Sequence, residues 1–331
     1  MAWGLHNPLG MAPARHAKKI PRLSSAPAEL APADARRISA LVEQLPSRTK
    51  LTNLDKVMFP DEAITKAALI AYYAATASHM LPHAARRPLA LVRCPDGRAG
   101  SCFFQKHAAP GTPEVLGRVV IEEDRGRREP YLYVKDVDGL FALVQMGVLE
   151  VHLWGAHVDK LERPDRLVID LDPDPELEWD LVVAAARDLR ARLAGHRLES
   201  FVMTTGGKGL HVVAPFARRI DWGACKTFAR AIAEAMARAA PDRFTANMAK
   251  AQRSGKIFVD YLRNARGATA IAPYSTRARV GATVATPISW AELERGVRPR
   301  DFTVLTLPGR LLALQRDPWQ GYLDLTQRLP V

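Results

Sequence analysis

Arg166-Leu167-Val168-Ile169-Asp170-Leu171-Asp172-Pro173-Asp174 sets apolar residues against two aspartates in strict alternation. In a strand, neighbouring side chains point to opposite faces. Leu167, Ile169 and Leu171 therefore take one face, and Val168, Asp170 and Asp172 the other, with Pro173 ending the strand. Two carboxylates held together at a strand end repel each other unless a cation neutralises them. Mg²⁺ and Mn²⁺ accept oxygen ligands of this kind, usually one or two carboxylates together with substrate phosphates. A pair of such ions about 3.5–4 Å apart can activate a hydroxyl nucleophile and stabilise the leaving group of a phosphoryl transfer. An ordinary solvated strand end would carry the same pattern.

Downstream, Phe201-Val202-Met203-Thr204-Thr205 and Leu210-His211-Val212 enclose the turn Gly206-Gly207-Lys208-Gly209. Glycines let backbone N–H groups approach a phosphate closely. Lys208 adds a point charge, and Thr205 and His211 offer hydrogen bonds. The spacing is not that of a Walker A loop. A glycine-rich hairpin with an incidental lysine is the plainer alternative.

A third segment, Arg253-Ser254-Gly255-Lys256-Ile257-Phe258-Val259-Asp260-Tyr261-Leu262-Arg263-Asn264, places Asp260 in an apolar strand pattern. An unpaired carboxylate is costly to bury there, so a metal or a cation must compensate it. Arg253, Lys256 and Arg263 are within reach, and a structural salt bridge to one of them would suffice. Arg277 follows the turn at Pro273-Tyr274. Three acidic ligands, a glycine-rich loop and converging cations together make a parts list for phosphoryl transfer from a nucleoside triphosphate.

Around these segments the periodicity predicts helices over 32–45, from Thr65 as N-cap, and over 139–146, 176–194 and 222–239. It predicts strands over 89–94, 101–106, 119–122, 131–135, 149–153 and 257–262. The absence of strict βαβ alternation indicates α+β, or a mixed-sheet α/β fold. Residues 1–30, rich in Ala, Pro and basic residues, read as a poorly ordered arm. Trp154, Trp179 and Trp222 read as packing residues. There is no internal repeat and no apolar run of about 18 residues that would span a membrane.

The chain has 331 residues with 48% hydrophobic and 25% charged content, as in ordinary globular proteins. Lys plus Arg is 47 against 35 for Asp plus Glu, a net charge of +12. Between Pro241 and Arg300 there are eleven Lys/Arg and four Asp/Glu. A basic surface of this kind attracts polyanions, of which nucleic acid is the commonest large one. Cys94, Cys102 and Cys225 are an odd number without C-x-x-C spacing. That argues against a disulfide framework or structural zinc, and suits a reducing cytoplasm.

The order Asp170-Leu171-Asp172, then Thr204 to His211, then Gly255 to Asn264, then Ala272-Pro273-Tyr274-Ser275-Thr276-Arg277 resembles the polymerase domain of bacterial ligase D, in the archaeo-eukaryotic primase superfamily. Leu51 to Pro60, Thr65-Lys66 and Phe103-Phe104 with Lys106 extend the resemblance over about residues 51–310. It implies an α+β, primase-like catalytic core with a mixed, mainly antiparallel sheet flanked by helices. Residues 1–45, which have no counterpart in the resemblance, read as an extension, partly disordered with one helix, ahead of a primase-polymerase-like catalytic domain over 46–331. Asp170, Asp172 and Asp260 would be the catalytic carboxylates holding two Mn²⁺ or Mg²⁺ ions. Lys208, His211, Arg253 and Arg277 would hold the triphosphate, with His152 and Arg93 lining the same site and Thr205 near the sugar. The family usually has Ser at that position, and often Ser at Gly207 too.

Asn53, Lys56 and Lys66 match positions gripping a 5′-phosphate across a gap, and Phe103 and Phe104 match residues stacking on template bases. The implied activity is addition of NTPs or dNTPs to a primer 3′-hydroxyl in non-homologous end joining, with ribonucleotide incorporation. Partners would be gapped or broken DNA, a DNA ligase and a Ku-like end-binding protein, in the bacterial nucleoid. A primase starting chains de novo, or a non-catalytic module binding DNA ends, would share much of this pattern. From the residues alone, Lys56 and Lys66 read equally as solvated lysines. His152 reads as a core histidine, and at least one of Phe103 and Phe104 is expected in the core.

Overall fold

The computed structural model describes residues 29–123 and 126–330. The arm expected over 1–30 lies outside the described residues except at its end. There Leu30 is buried and its amide donates to the Glu62 carbonyl at 3.0 Å.

Pro32 opens helix α1 (Pro32–Glu43), whose missing N–H costs nothing at a first helical turn. Strands β1 (Val57–Phe59) and β2 (Ile64–Thr65) lead into α2 (Lys66–Ala84). Thr65 caps α2 as expected, its Oγ1 accepting from the Ala68 amide at 3.2 Å. Then come β3 (Leu89–Arg93), β4 (Phe103–Gln105), β5 (Gly117–Glu122), β6 (Arg128–Tyr133), α3 (Val137–Gln145) and β7 (Val148–Trp154). The second half holds β8 (Arg166–Pro173), α4 (Trp179–Gly195), β9 (Phe201–Thr204), β10 (Leu210–Pro215) and α5 (Trp222–Ala239). It closes with β11 (Phe244–Thr245), β12 (Ile257–Asp260), β13 (Thr269–Ile271), β14 (Thr286–Ile288), α6 (Trp290–Glu294) and α7 (Leu307–Ala313). Among the described residues no helix is long and apolar enough to cross a membrane.

Two sheets carry the molecule. The larger has the order β11-β12-β8-β10-β9-β14, antiparallel except for the β11–β12 pair. The smaller, β13-β7-β3-β4, is antiparallel throughout. On β8 the alternation holds. Leu167, Ile169 and Leu171 are fully buried in the core cluster that includes Val182, Ala186 and Leu189 of α4 and Ala229 and Ile232 of α5. Each such aliphatic side chain contributes on the order of 1.5–3 kcal/mol by leaving water. The other face is divided. Val168 packs with Phe201, Met203 and Ile271, while Asp170 and Asp172 keep partial access to solvent.

Several boundaries differ from the sequence reading. The strand expected over 257–262 ends at Asp260, because the Asp260 Oδ1 accepts from the Leu262 amide at 2.8 Å and turns the chain into a short 3₁₀ segment. The helix expected from 176 starts at Trp179, since Asp174 Oδ1 takes the Glu176 amide into a turn. Phe103 and Phe104 are both exposed, so the expectation that one would enter the core is corrected. β4 is an edge strand with a partner on one side only, and none of its three residues is buried.

Cys94 and Cys102 form a disulfide, contrary to the reading from cysteine count, and Cys225 is the buried free thiol. The cause is register. Pairing of Arg93 with Phe103 brings the residues just beyond them together, at a Cα–Cα distance of 4.3 Å.

Candidate active site

The β8–β10 register sets His211 opposite Asp170, and the β8–β12 register sets Asp260 opposite Asp170 and Phe258 opposite Asp172. Three carboxylates from two strands thus meet at one end of the large sheet. Each already faces a cation. Asp170 lies 3.6 Å from His211 Nε2 and 3.7 Å from Arg263 Nε. Asp172 lies 3.1 Å from Lys208 Nζ and 3.3 Å from an Arg253 nitrogen. Asp260, buried, is 2.9 Å from Arg263. Arg263 is therefore the salt-bridge partner that the sequence allowed among three candidates.

Burial would push the Asp170 carboxyl up, but His211, Arg263 and Arg277 outweigh it and hold the group below its ordinary value. Burial raises Asp260, and the charge of Asp170 raises it further against the pull of Arg263. Repulsion from Asp170 thus adds to burial in raising Asp260, while Asp170 itself is held ionised by the cations around it. Among the described residues no three His, Cys, Asp or Glu side chains are gathered into a ready cage for a metal ion. An open set of hard oxygen donors, completed by substrate phosphates, is what Mg²⁺ normally uses. The donor chemistry therefore fits Mn²⁺ or Mg²⁺.

In front of these carboxylates is a cavity of about 270 Å³ lined by His152, Asp170, Asp172, Lys208, His211 and Arg277 among others. Thr205, Gly207, Gly209, Arg263 and Arg279 complete its polar wall. The glycine turn connects β9 to β10. Thr205 Oγ1 donates to the Gly209 carbonyl at 3.1 Å and accepts from the Gly207 amide at 3.4 Å, closing the turn on itself. Gly206 has φ +65°, the left-handed region that favours glycine. A Cβ at Gly209 would stand 2.3 Å from the Leu171 carbonyl oxygen. Since that oxygen belongs to the β8 backbone, Gly209→Ala is expected to destabilise by roughly 1–3 kcal/mol through overpacking. Gly195→Ala, with nothing within 4 Å, serves as the near-neutral comparison in urea melts.

A buried network behind the cavity was not foreseen. Glu150 on β7 accepts from Arg277 Nε at 3.1 Å and from the Ala278 amide at 3.0 Å through Oε1, and its Oε2 is 2.9 Å from His152 Nε2. Arg277 also donates to the Thr205 carbonyl at 2.6 Å. Burial would raise the Glu150 carboxyl, but His152, Arg277 and the Ala278 amide bring it down to about 2. Burial lowers His152 against the opposing pull of Glu150. The signal for Glu150 lay in the alternation of β7, where residues 150 and 152 share a face. His152 is thus a cavity residue rather than a plain core histidine.

The remaining assignments divide into two groups. Arg253 stays beside Asp172 and stacks on Phe258, 3.9 Å from the ring centroid. Arg93 and Arg253 are both outside the residues that line the cavity. The Arg93 guanidinium is drawn to Met146 O and Gln105 Oε1, both at 2.9 Å, and lies over the Phe103 ring. Phe104 sits edge-on to His152, at a centroid distance of 6.2 Å, so the aromatic edge adjoins the cavity.

Asn53, Lys56 and Lys66 come together at the start of α2. Asn53 adopts φ 52°, and its carbonyl accepts from the Lys56 amide. The Lys66 amide donates to the Lys56 carbonyl at 2.8 Å. Lys66 is buried, not a solvated lysine, with Nζ donating to Thr52 O at 3.0 Å. Burial lowers its ammonium, and the charge of Lys56 lowers it further. Lys56 reaches Asp96 at 3.1 Å. Two ammonium groups at the N-terminal end of a 19-residue helix favour an anion there.

Comparison with known proteins gives the family and the fold. The family described as "LigD, primase-polymerase domain" matches residues 65–319. The multifunctional non-homologous end joining protein LigD of Pseudomonas aeruginosa is 40% identical over 283 residues, 85% of this chain and 33% of that protein. The bifunctional non-homologous end joining protein LigD of Bacillus subtilis is 29% identical over 265 residues, 80% of this chain and 42% of that protein. The chain spans about a third of the length of the multifunctional relatives it matches. Among solved structures, the polymerase domain from Mycobacterium tuberculosis ligase D in complex with DNA is 32% identical with a TM-score of 0.78. That likeness covers 85% of this chain and all of the solved one. The α+β, mainly antiparallel architecture is the primase-like fold of that domain.

Proposed function

The chain belongs to the LigD primase-polymerase domain family, and from that premise we propose that it extends a primer 3′-hydroxyl with NTPs or dNTPs at gaps or broken ends during non-homologous end joining. One observation carries this reading: Asp170, Asp172 and Asp260 converge beside a cation-lined cavity closed by a glycine turn. Mn²⁺ or Mg²⁺ held by those carboxylates would supply Lewis-acid stabilisation of the charge developing on the transferred phosphoryl group.

The chain's own residues do the rest. Lys208, His211 and Arg277 hold the triphosphate from the cavity wall, where Arg263 and Arg279 add positive charge, and Arg253 joins them from beside Asp172. His152, with Glu150 behind it, lines the floor, and Thr205 lies on the sugar side. Fixed cations of this kind stabilise transferring phosphoryl charge without reorganising during reaction. The 3′-hydroxyl attacks the α-phosphate in line, and pyrophosphate leaves on the side of the cations.

Asn53, Lys56 and Lys66 grip the 5′-phosphate on the far side of a gap. Exposed Phe103, supported by Arg93, and Phe104 stack on template bases, each contact contributing about 1–3 kcal/mol. The catalytic domain runs over 46–331, with α1 of the preceding extension packed on it through Val42. A DNA ligase and a Ku-like end-binding protein are the partners this reading requires.

The test is primer extension on gapped duplexes carrying either a 5′-phosphate or a 5′-hydroxyl. The wild type is expected to prefer the phosphate, and to bind less tightly as salt rises. Lys56→Ala and Lys66→Met, verified as folded, are expected to reduce that preference roughly tenfold, since a charged hydrogen bond is worth about 1.5–3 kcal/mol. Binding to 5′-phosphorylated gaps without extension under either metal would instead identify a non-catalytic end-binding module.

A further inference from the structure

We propose that Cys94 and Cys102 are a redox-active pair whose bridge staples the aromatic edge strand β4 in place. The consequence for DNA rests on the function proposed above. The pair is asymmetric: Cys94 is fully buried and Cys102 is exposed. Its bridge lies directly beyond Arg93–Phe103, the last of only three residue pairs joining β4 to β3.

The loop between the cysteines is anchored independently on the other side. Arg98 donates its amide to Met58 O at 2.8 Å and pairs with Asp61, and Asp96 meets Lys56. Gly97 is fixed against β1, where a Cβ would approach the Val57 carbonyl oxygen to 2.9 Å. Opening the bridge therefore leaves the loop seated and frees the Phe103–Phe104 end. In a reducing compartment such a bridge is transient or redox-sensing.

The chemistry is thiol–disulfide exchange with a dithiol reductant. An external thiolate attacks the exposed Cys102 Sγ, the S–S bond breaks, and Cys94 leaves as a thiolate that takes up a proton. The reductant's second thiol then releases Cys102. The pair gains two electrons and two protons, and the reductant becomes a cyclic disulfide. A disulfide oxidant runs the sequence in reverse.

The whole chain is oxidised with glutathione disulfide or reduced with dithiothreitol, and free thiols are counted by mass after alkylation under denaturing conditions. Hydrogen exchange at residues 103–105 and affinity for a 5′-phosphorylated gapped duplex are then compared. The bridged form is expected to retain only Cys225 as a free thiol, exchange more slowly at β4, and bind the duplex several-fold more tightly. Cys102→Ser is expected to behave as the reduced form in either buffer. Failure of the bridge to form, or equal exchange at β4 in both forms, overturns the proposal. Equal, measurable affinity in both forms overturns its DNA consequence. Absence of binding by either form overturns the proposed function, while the exchange comparison still decides the staple.

Discussion

Replacing Asp170 and Asp172 together by alanine is expected to leave a folded protein that no longer extends a primer in Mn²⁺ or Mg²⁺. The expected loss of rate is at least about 10³-fold, because the charge stabilisation lost exceeds that of a single electrostatic donor, itself worth about 10²–10³. Folding should survive. Both side chains lie on the half-open face of β8, while the buried face formed by Leu167, Ile169 and Leu171 is untouched. Removing Asp170 also relieves the repulsion that raises Asp260, and leaves Arg263 its bridge to Asp260. Binding to gapped DNA should persist or tighten, since the change removes two negative charges beside a basic groove. Circular dichroism, duplex binding and single-turnover extension on the same sample separate these effects. Wild-type extension surviving in the double variant would remove the carboxylates from the mechanism, whatever the fold.

Replacing Glu150 by alanine is expected to be the most damaging change outside the carboxylate trio. Glu150 is buried and accepts from the Arg277 guanidinium and the Ala278 amide, and its other oxygen meets His152. Truncation leaves the partly buried Arg277 without its carboxylate; such a loss costs about 3–5 kcal/mol where both charges are fully buried, and less here because Arg277 borders the cavity. It also releases Arg277 from one of the two anchors that aim it into the cavity, the other being Thr205 O. The nucleotide KM should therefore rise by an order of magnitude or more in Glu150→Ala, on top of the stability loss. Glu150→Gln, which keeps the shape and one acceptor, should recover part of the stability while KM stays raised.

The pH dependence has a definite sign. Glu150 has its folded pKa brought down to about 2, from an ordinary value of 4.5. Its contribution is therefore fully present above about pH 4.5 and is lost as pH falls through that window toward 2. Urea melts between pH 3 and 7 should show wild type losing stability toward acid more steeply than Glu150→Gln. Parallel curves would mean that Glu150 is not held ionised by this network.

Much of the architecture was legible in residue order because local physics decided it. The period-two pattern of 166–173 specified β8 and its buried face, and Thr65 marked the start of α2 through its hydroxyl. Gly206-Gly207-Lys208-Gly209 announced a turn that only glycine permits. Where boundaries failed, a side chain was competing with the ladder, as Asp260 does for the Leu262 amide and Asp174 for the Glu176 amide. Such competition depends on how the carboxylate is oriented, which a one-dimensional pattern does not contain.

Taken alone, the sequence determined which carboxylates share a strand face, which turn approaches them, that the surface is basic, and to which family these motifs belong. Those properties follow from alternation, glycine geometry and charge, all local or additive. Tertiary structure alone decided the rest. The β8–β12 register set Asp260 directly opposite Asp170, and the turn after it chose Arg263 among the three candidate partners. The β3–β4 register joined Cys94 to Cys102 and left both phenylalanines exposed on an edge. Packing of β7 against the segment after Pro273 buried Glu150 between His152 and Arg277. Each of these is a contact between segments far apart in the chain, whose meeting is set by strand register and by which faces the core covers.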